Sequence, residues 1–372
     1  PAKCAQDECD ALHRKCQAVQ ERVVKNCLNL YASCGRQLRL GPCVSELHKF
    51  LFDGLPVRGM VVRLTDAWTE ILRRRASNNT TGAYDEPVRD MLGEMVAAAA
   101  LMQANIKFDG SLVLQIFGDG PVKLAVVEVG SDLALRATAT VVGPLDASAS
   151  LSQMVNVGND GRCAITLDPN KKFPGQQPYQ GVVPLFDDRK HKIEKISEVL
   201  EHYMLQSEQL DTTLVLAANE NVAAGLLIQR LPVQGTGNLS GSMVSKENED
   251  QIGLDEHFNR IAILASSLKR EELLTLDVET ILRRLFWEEQ MTRFEPLQGE
   301  TAPRFACSCS RERVGRMIVS LGRTEVESIL EERPDIEVGC EFCGIQYRFD
   351  AVDAAQLFTE PVQQLDGGPL PH

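Results

Sequence analysis

The chain has 372 residues, enough for two or three domains and for at least one large apolar core. With 52 Asp and Glu against 39 Lys and Arg, its formal net charge of -13 opposes binding to a nucleic-acid phosphate backbone. No stretch approaches the roughly eighteen uninterrupted apolar residues of a membrane-spanning helix, and no secretory leader pattern opens the chain, so a cytoplasmic location is expected. In that reducing compartment, close cysteine pairs point to metal binding or redox chemistry rather than to permanent disulfides.

Residues 1–43 differ from everything that follows. They carry Cys4, Cys9, Cys16, Cys27, Cys34 and Cys43, six of the eleven cysteines. The spacing of Cys9, Cys16, Cys27 and Cys34 would place them on one face of a continuous helix. A disulfide-stapled hairpin is the other reading, but Gln17–Asn26 offers neither Gly nor Pro for its turn. Val44-Ser45-Glu46-Leu47 reads like a bacterial translation start. The expectation is therefore an atypical extension that does not belong to the working protein.

Residues 44–234 read as one α+β core domain of mixed sheets and helices. Pro87 opens a helix in which Val88, Met91, Leu92, Met95, Val96 and Ala99 recur at three and four, with the methionines as core filler. Leu112, Leu114 and Ile116 then alternate with Val113, Gln115 and Phe117, a strand that turns through Gly118-Asp-Gly-Pro121 into Leu124–Val129. Further strands are expected at Leu135–Val142, Cys163–Leu167 and Tyr179–Val183, and a helix over Ile193–Leu205. A last hairpin joins Thr212–Ala217 to Ala224–Leu231. Strands adjoin strands, which favours α+β over a doubly wound parallel sheet. Cys163 reads as a buried structural thiol. The turns at Gly118–Pro121 and Gly158–Gly161 lack the spacing and the Lys-Ser/Thr end of a phosphate loop.

Residues 235–299 read as a linker. Its first part is rich in Gly, Ser and Asn. Two amphipathic helices follow. One carries Leu254, Phe258, Ile261, Ala262, Leu264, Ala265 and Leu268. The other starts near Asp277 and carries Val278, Ile281, Leu282, Leu285 and Phe286, with Arg283, Arg284, Glu288 and Glu289 on its polar side. Such helices need an apolar surface to lie on.

Residues 300–352 form a last unit, followed by a tail over 353–372. Cys307-Ser-Cys309 and Cys340-Glu-Phe-Cys343, thirty residues apart, supply the four soft ligands of a closed tetrahedral zinc site with no open position for substrate water. Either pair can instead form disulfides when its thiolates are oxidised. Ser310 can cap a helix with Val314, Met317, Ile318 and Leu321, closed by Gly322. Thr324 and Glu327 match a capping box for a second helix with Val326, Ile329 and Leu330. Ile345, Tyr347 and Phe349 alternate as a short strand. So small a unit cannot fold on its own apolar burial. Zinc binding to such a site contributes on the order of 10–16 kcal/mol, more than a typical domain's whole stability. Metal and fold should be lost together when an oxidant takes the thiolates, freeing the linker helices.

These residues also carry a resemblance. Cys307-Ser-Cys309-Ser-Arg-Glu-Arg313 and Gly339-Cys340-Glu-Phe-Cys343-Gly344 resemble the two zinc motifs of the redox-regulated heat-shock holdase, or thirty-three-kilodalton chaperonin, family. Leu47-His-Lys-Phe-Leu-Phe52, Val57-Arg-Gly59, Lys107-Phe-Asp-Gly110, Gly118-Asp-Gly-Pro121, Tyr179-Gln-Gly-Val-Val183, Ser207-Glu-Gln-Leu210 and Glu271-Glu-Leu-Leu-Thr-Leu276 extend it over about Ser45 to Val352. It implies a non-enzymatic, ATP-independent chaperone, inactive when reduced and holding one Zn2+ on Cys307, Cys309, Cys340 and Cys343. On oxidation, it implies disulfides Cys307–Cys309 and Cys340–Cys343, zinc loss, linker unfolding, homodimerisation and capture of unfolding client proteins. Residues 1–43 lie outside the resemblance.

Two other classes are weaker. A zinc ribbon binding nucleic acid would use Arg311, Arg313 and Arg316, but the acidic total and the lack of aromatic-basic interleaving oppose it. A thiol–disulfide oxidoreductase would place Cys340-Glu-Phe-Cys343 at the start of a helix after a strand, whereas here it precedes a strand. No Ser/His/Asp set, HExxH or paired-carboxylate site is present.

Overall fold

The computed structural model describes residues 44–78, 81–171, 177–232 and 256–359. The expectations for residues 1–43, for the Gly- and Ser-rich part of the linker, for Leu254 and for the tail beyond 359 lie outside these residues. The described chain opens with β1 (Glu46–Phe52) and β2 (Val57–Leu64), an antiparallel pair, and the helix Asp66–Ala76. None of the three is among the elements expected from periodicity. The helix Glu86–Asn105 follows, with Pro87 in its first turn as expected. Then come β3 (Gly110–Phe117), β4 (Val122–Gly130), β5 (Ala134–Val141), the short helix Leu151–Val155, β6 (Arg162–Pro169) and β7 (Tyr179–Pro184). The helix Ile196–Glu208 leads to the hairpin of β8 (Thr212–Ala218) and β9 (Ala223–Arg230).

These strands form two large sheets. The first has the order β10-β1-β2-β9-β8, with β10 (Met291–Arg293) contributed from beyond the linker helices. The second has the order β11-β5-β4-β3-β6-β7, where β11 (Arg304–Phe305) is its one parallel strand. Mixed antiparallel sheets with helices make the expected α+β class. The helix Glu86–Asn105 packs on β2, β8 and β9 of one sheet and on β3, β4 and β5 of the other. Periodicity implies one apolar face, but every residue from Met95 to Gln103 is buried, because both sides meet a sheet. Small residues make this approach possible. A Cβ on Gly93 would come within 2.4 Å of Ala218 Cβ, and the Ala97–Ala100 run follows one turn on.

The first sheet is apolar on both faces. In β2, Met60, Val62 and Leu64 face the central helix, whereas Val57 and Val61 face outward with Phe50, Phe52, Leu226 and Ile228. The linker covers this outer face. Among the described residues it forms three helices rather than two, over 256–266, Arg270–Thr275 and Val278–Phe286. Phe258, Ile261, Leu268, Leu273, Ile281, Leu285 and Phe286 are all buried there. Phe286 stands edge-on to Phe52 at 5.1 Å. Gly59 lies opposite Phe50, whose ring occupies the space a Cβ at 59 would need.

Polar groups tie the linker down as well. Arg63 of β2 donates to the carbonyls of Leu273, Leu274 and Leu276 at 3.1, 2.8 and 3.2 Å, satisfying acceptors at the end of the short helix. Arg270 holds Asp90 at 2.5 Å and donates to the Ala218 carbonyl. Asp277 caps the last helix by accepting from Thr280 N at 2.9 Å. Glu288 and Glu289 lie past that helix, and Glu289 pairs with Arg260.

Phe286→Ala should remove about 3–5 kcal/mol from linker docking. In reduced protein, hydrogen exchange should quicken over 256–286 while the amides of β3 and β4 keep their protection. Unchanged exchange would show that docking does not rest on this ring.

Candidate metal centre

The chain enters the last unit along the edge of the second sheet. Phe305 is in register with Leu135, Ala306 N donates to Leu135 O at 3.0 Å, and Arg304 pairs with Asp132. Cys307-Ser-Cys309 leaves this edge. Ser310 then caps the helix Arg311–Leu321 by accepting from Arg313 N at 3.2 Å, as expected, and Arg313 donates back to Ser308 O at 2.8 Å. Gly322, at φ +91°, ends that helix and directly precedes the helix Arg323–Glu332. The expected capping box does not form. The second helix starts straight from Gly322, so Thr324 already lies inside its first turn.

The second cysteine pair occupies the turn of a hairpin between β12 (Asp335–Gly339) and β13 (Gln346–Asp350). Cys340 N donates to Ile345 O at 2.9 Å, Gly344 N to Cys340 O at 2.8 Å, and Gly344 takes φ +73°, which favours glycine. β12 is absent from the sequence expectation, although Ile336 and Val338 alternate in it. The apolar core of this unit is small. Its buried members are Ile318, Val326, Ile336, Phe349 and Ala354, with Leu357 and Phe358 of the helix Ala351–Leu357 and its end packed against them. Met317 and Leu321 are exposed rather than on this core face.

The hairpin turn and the Cys307–Cys309 segment bring the four sulfurs within 4.8 Å of one another. Cys307 Sγ lies 3.6 Å from Cys340 Sγ, and Cys309 Sγ lies 3.3 Å from Cys343 Sγ. Tetrahedral coordination at 2.3 Å per bond would separate sulfurs by about 3.8 Å. The spacing and the donor chemistry therefore fit a soft metal ion, and the set could hold one. Charge leads to the same conclusion. Two unit charges about 4 Å apart repel by about 4 kcal/mol at an effective dielectric of 20, so four thiolates need a cation among them. With protons alone, Cys307, Cys340 and Cys343 differ. The hydrogen bond from Cys340 lowers Cys307 to about 4, against opposing burial, with help from the Cys309 N–H, the Cys309 thiol and Arg136. Cys340 is raised by that same bond and by burial, and burial pushes Cys343 up to about 11.

Tyr347 Oη donates to Cys309 Sγ at 3.2 Å, which raises the phenol above its ordinary range. The alternation of Tyr347 with Phe349 marks a strand but gives no sign of this contact. Cys163 is apart from the cluster. It lies fully buried in β6, its thiol pushed up to about 12 by burial, as a structural thiol should be. Arg311 is engaged with Arg348 O and Asp353, both at 2.7 Å, which weakens the phosphate-patch reading. Cys340-Glu-Phe-Cys343 opens no helix, so the oxidoreductase reading lacks its structural context.

A family model described as Hsp33 protein matches residues 45–350. The chain belongs to the Hsp33 family. It is 44% identical over 317 residues to the 33 kDa chaperonin of Chromobacterium violaceum, covering 85% of this chain and 95% of that relative. Against the 33 kDa chaperonin of Methylobacillus flagellatus it is 41% identical over 318 residues, covering 85% and 95%. The crystal structure of the 33 kDa chaperonin of Thermotoga maritima shares the fold, with a TM-score of 0.62 at 20% identity, covering 84% of this chain and 97% of that one. This Hsp33-family chain is accordingly a chaperone and not an enzyme. Residues 1–43 fall outside the family match. No helix among the described residues is long and apolar enough to cross a membrane.

Tyr347→Phe removes one hydrogen bond to a candidate ligand and leaves the ring. Affinity for Zn2+, read by competition with a chelator, should fall about 10-fold, the lower end for a lost outer-shell partner. An unchanged affinity would leave that bond without a role in metal binding.

Proposed function

We propose that this chain is an ATP-independent holdase, inactive when reduced and switched on by oxidation of Cys307, Cys309, Cys340 and Cys343. The observation that carries this reading is the placement of the four-sulfur cluster. It joins a unit with five buried core residues to the chain segment that follows the docked linker. When bound, one Zn2+ would cross-link the two cysteine pairs and hold them as thiolates.

Cys307 with Cys309, and Cys340 with Cys343, each close a disulfide. Each closure gives up two electrons, which one hydrogen peroxide and two protons take up to leave as two waters. The nearest sulfurs belong to opposite pairs. Disulfides across the pairs would keep the hairpin stapled to the Cys307–Cys309 segment. Disulfides within the pairs sever that link, and only they remove the cross-link on which the small fold depends.

Loss of the hairpin leaves β11 held by two residues in register with β5, and β10 by three in register with β1. The linker helices then separate from the first sheet. Phe50, Phe52, Val57, Val61, Leu226 and Ile228 become a surface for unfolding client proteins, together with the apolar sides of the helices themselves. Two copies exposing this surface pair as a homodimer. Nucleic acid and membranes have no part in this reading, and the cytoplasm is the compartment whose thiol reduction resets it.

Reduced protein should contain one zinc per chain and fail to suppress aggregation of a thermally unfolding client. Peroxide with mild heat should release the zinc and produce suppression without ATP, both followed in the same tube. Equal suppression before and after oxidation would remove the switch. Peptide mapping of the oxidised chain should find Cys307–Cys309 and Cys340–Cys343, whereas pairing across the motifs would contradict the severing step.

A further inference from the structure

Arg136 lies on β5 in the core domain, 171 residues before Cys307 in the chain. Its guanidinium has three neighbours at once. Nε and Nη2 hold Glu128, its register partner on β4, at 3.0 and 2.5 Å. Nη1 donates to Cys307 Sγ at 3.7 Å, and the guanidinium carbon sits 4.3 Å from the centre of the Phe342 ring. Cys307 belongs to the first cysteine pair, and Phe342 lies between the two cysteines of the second. A single planar cation of the core thus touches both halves of the cluster.

The chemistry suits this position. Four thiolates around Zn2+ carry a net charge of about -2, and one cation brought against them from the core complements it. A guanidinium can share its donors between a carboxylate and a sulfur while its face stacks on an aromatic ring, which a lysine ammonium cannot do. The Arg136 side chain is only 16% exposed, so water screens these contacts little. Glu128 fixes its direction. The neighbouring restraints are of another kind: Arg304 with Asp132, and Arg74 over the Phe305 ring at 4.5 Å, hold the strand leading in rather than the cluster.

We propose that Arg136 is a positioning residue that seats the four-cysteine cluster on the second sheet. It keeps Cys307 covered and lets the core domain sense whether the cluster is assembled. The four ligands all come from the last unit, so the cluster can still form without Arg136, but it would be unseated. The metal would leave sooner, and oxidant would reach Cys307 more readily.

This inference rests on the proposed zinc switch, and its test separates the two. Full-length reduced protein would be compared as wild type, Arg136→Ala, Arg136→Lys and Glu128→Gln. Two measurements are made: zinc transfer to a competing chelator without oxidant, and hydrogen exchange over 304–309 and 318–330. Arg136→Ala should bind one zinc and lose it about 10-fold faster, the lower end for a lost outer-shell partner. Exchange should rise over 304–309 while 318–330 stays protected, and Lys should recover part of both effects. Should Arg136→Ala fail to fold, Glu128→Gln carries the same expectation at smaller size. Lower thermal stability with unchanged zinc transfer and exchange would overturn the inference. Zinc that stays bound through oxidation of the wild type would overturn the switch but not the seating, because the chelator measurement uses no oxidant. A wild type without zinc would overturn both.

Discussion

Four thiolates held within 4.8 Å of one another cannot all keep their charge unless a cation lies among them. This constraint governs the last unit. Its buried core consists of Ile318, Val326, Ile336, Phe349 and Ala354, too little apolar surface to offset the chain entropy of two helices and a hairpin. In the proposed reading, most of the cohesion of the unit comes from one metal cross-link between the segment after β11 and the turn between β12 and β13. A fold that depends on a single cross-link is lost in one step, which suits a sensor better than a scaffold.

The core domain presents the opposite arrangement. Its central helix is enclosed on both sides by sheet, so no single contact decides its stability. The outer face of the first sheet is the exception, because its cover comes from another part of the chain. That cover is amphipathic, caps its own helices, and engages Arg63 and Asp90 through polar contacts. In the proposed switch it stays docked while its far end is tethered. The same protein thus holds a core enclosed by its own sheets and an apolar surface covered by a later part of the chain, whose burial the proposed switch makes conditional.

What the sequence revealed follows from how local each signal is. The cysteine pairs, the Ser310 cap, the Asp277 start and the β3–β4 and β8–β9 hairpins are legible because each is contained in a few neighbouring residues. β1 and β2 are harder. The central residues of β2 are apolar on both sides, since the linker covers one face and the helix Glu86–Asn105 the other, and His48-Lys49 at the centre of β1 puts two polar residues in a row; both blur the alternation. The helix Arg270–Thr275 is too short for a clear period. Thr324 misleads because a cap requires a non-helical residue, and Gly322 already provides the break. At the candidate site, the four clustered cysteines are legible and their neighbours are not. Arg136 and Tyr347 reach the sulfurs through the register of β5 and β13, and no local pattern marks a residue that acts across 171 positions.

The path between the proposed sensor and the proposed client surface is short. Residues 291–306 run from the edge of the first sheet, where Arg293 pairs with Phe50, past Leu297 against Leu47, to the edge of the second, where Phe305 pairs with Leu135. Each attachment is an edge pairing of only a few hydrogen bonds, which alone contribute little net stability because water competes for the same groups. In the proposed reading their strength comes from being held at both ends, by the docked linker helices on one side and by the four-cysteine cluster beside Arg136 on the other. Release at the cluster end turns a closed loop into an open chain and restores its conformational entropy. In the proposed switch the pairing at β11, nearest the cluster along the chain, feels this first, then the bridge at Leu297, then β10. Coupling of this kind needs no wire of side chains through the core. It requires that the linker and the cluster be consecutive in the chain and fastened to the two sheets of one domain, as they are here.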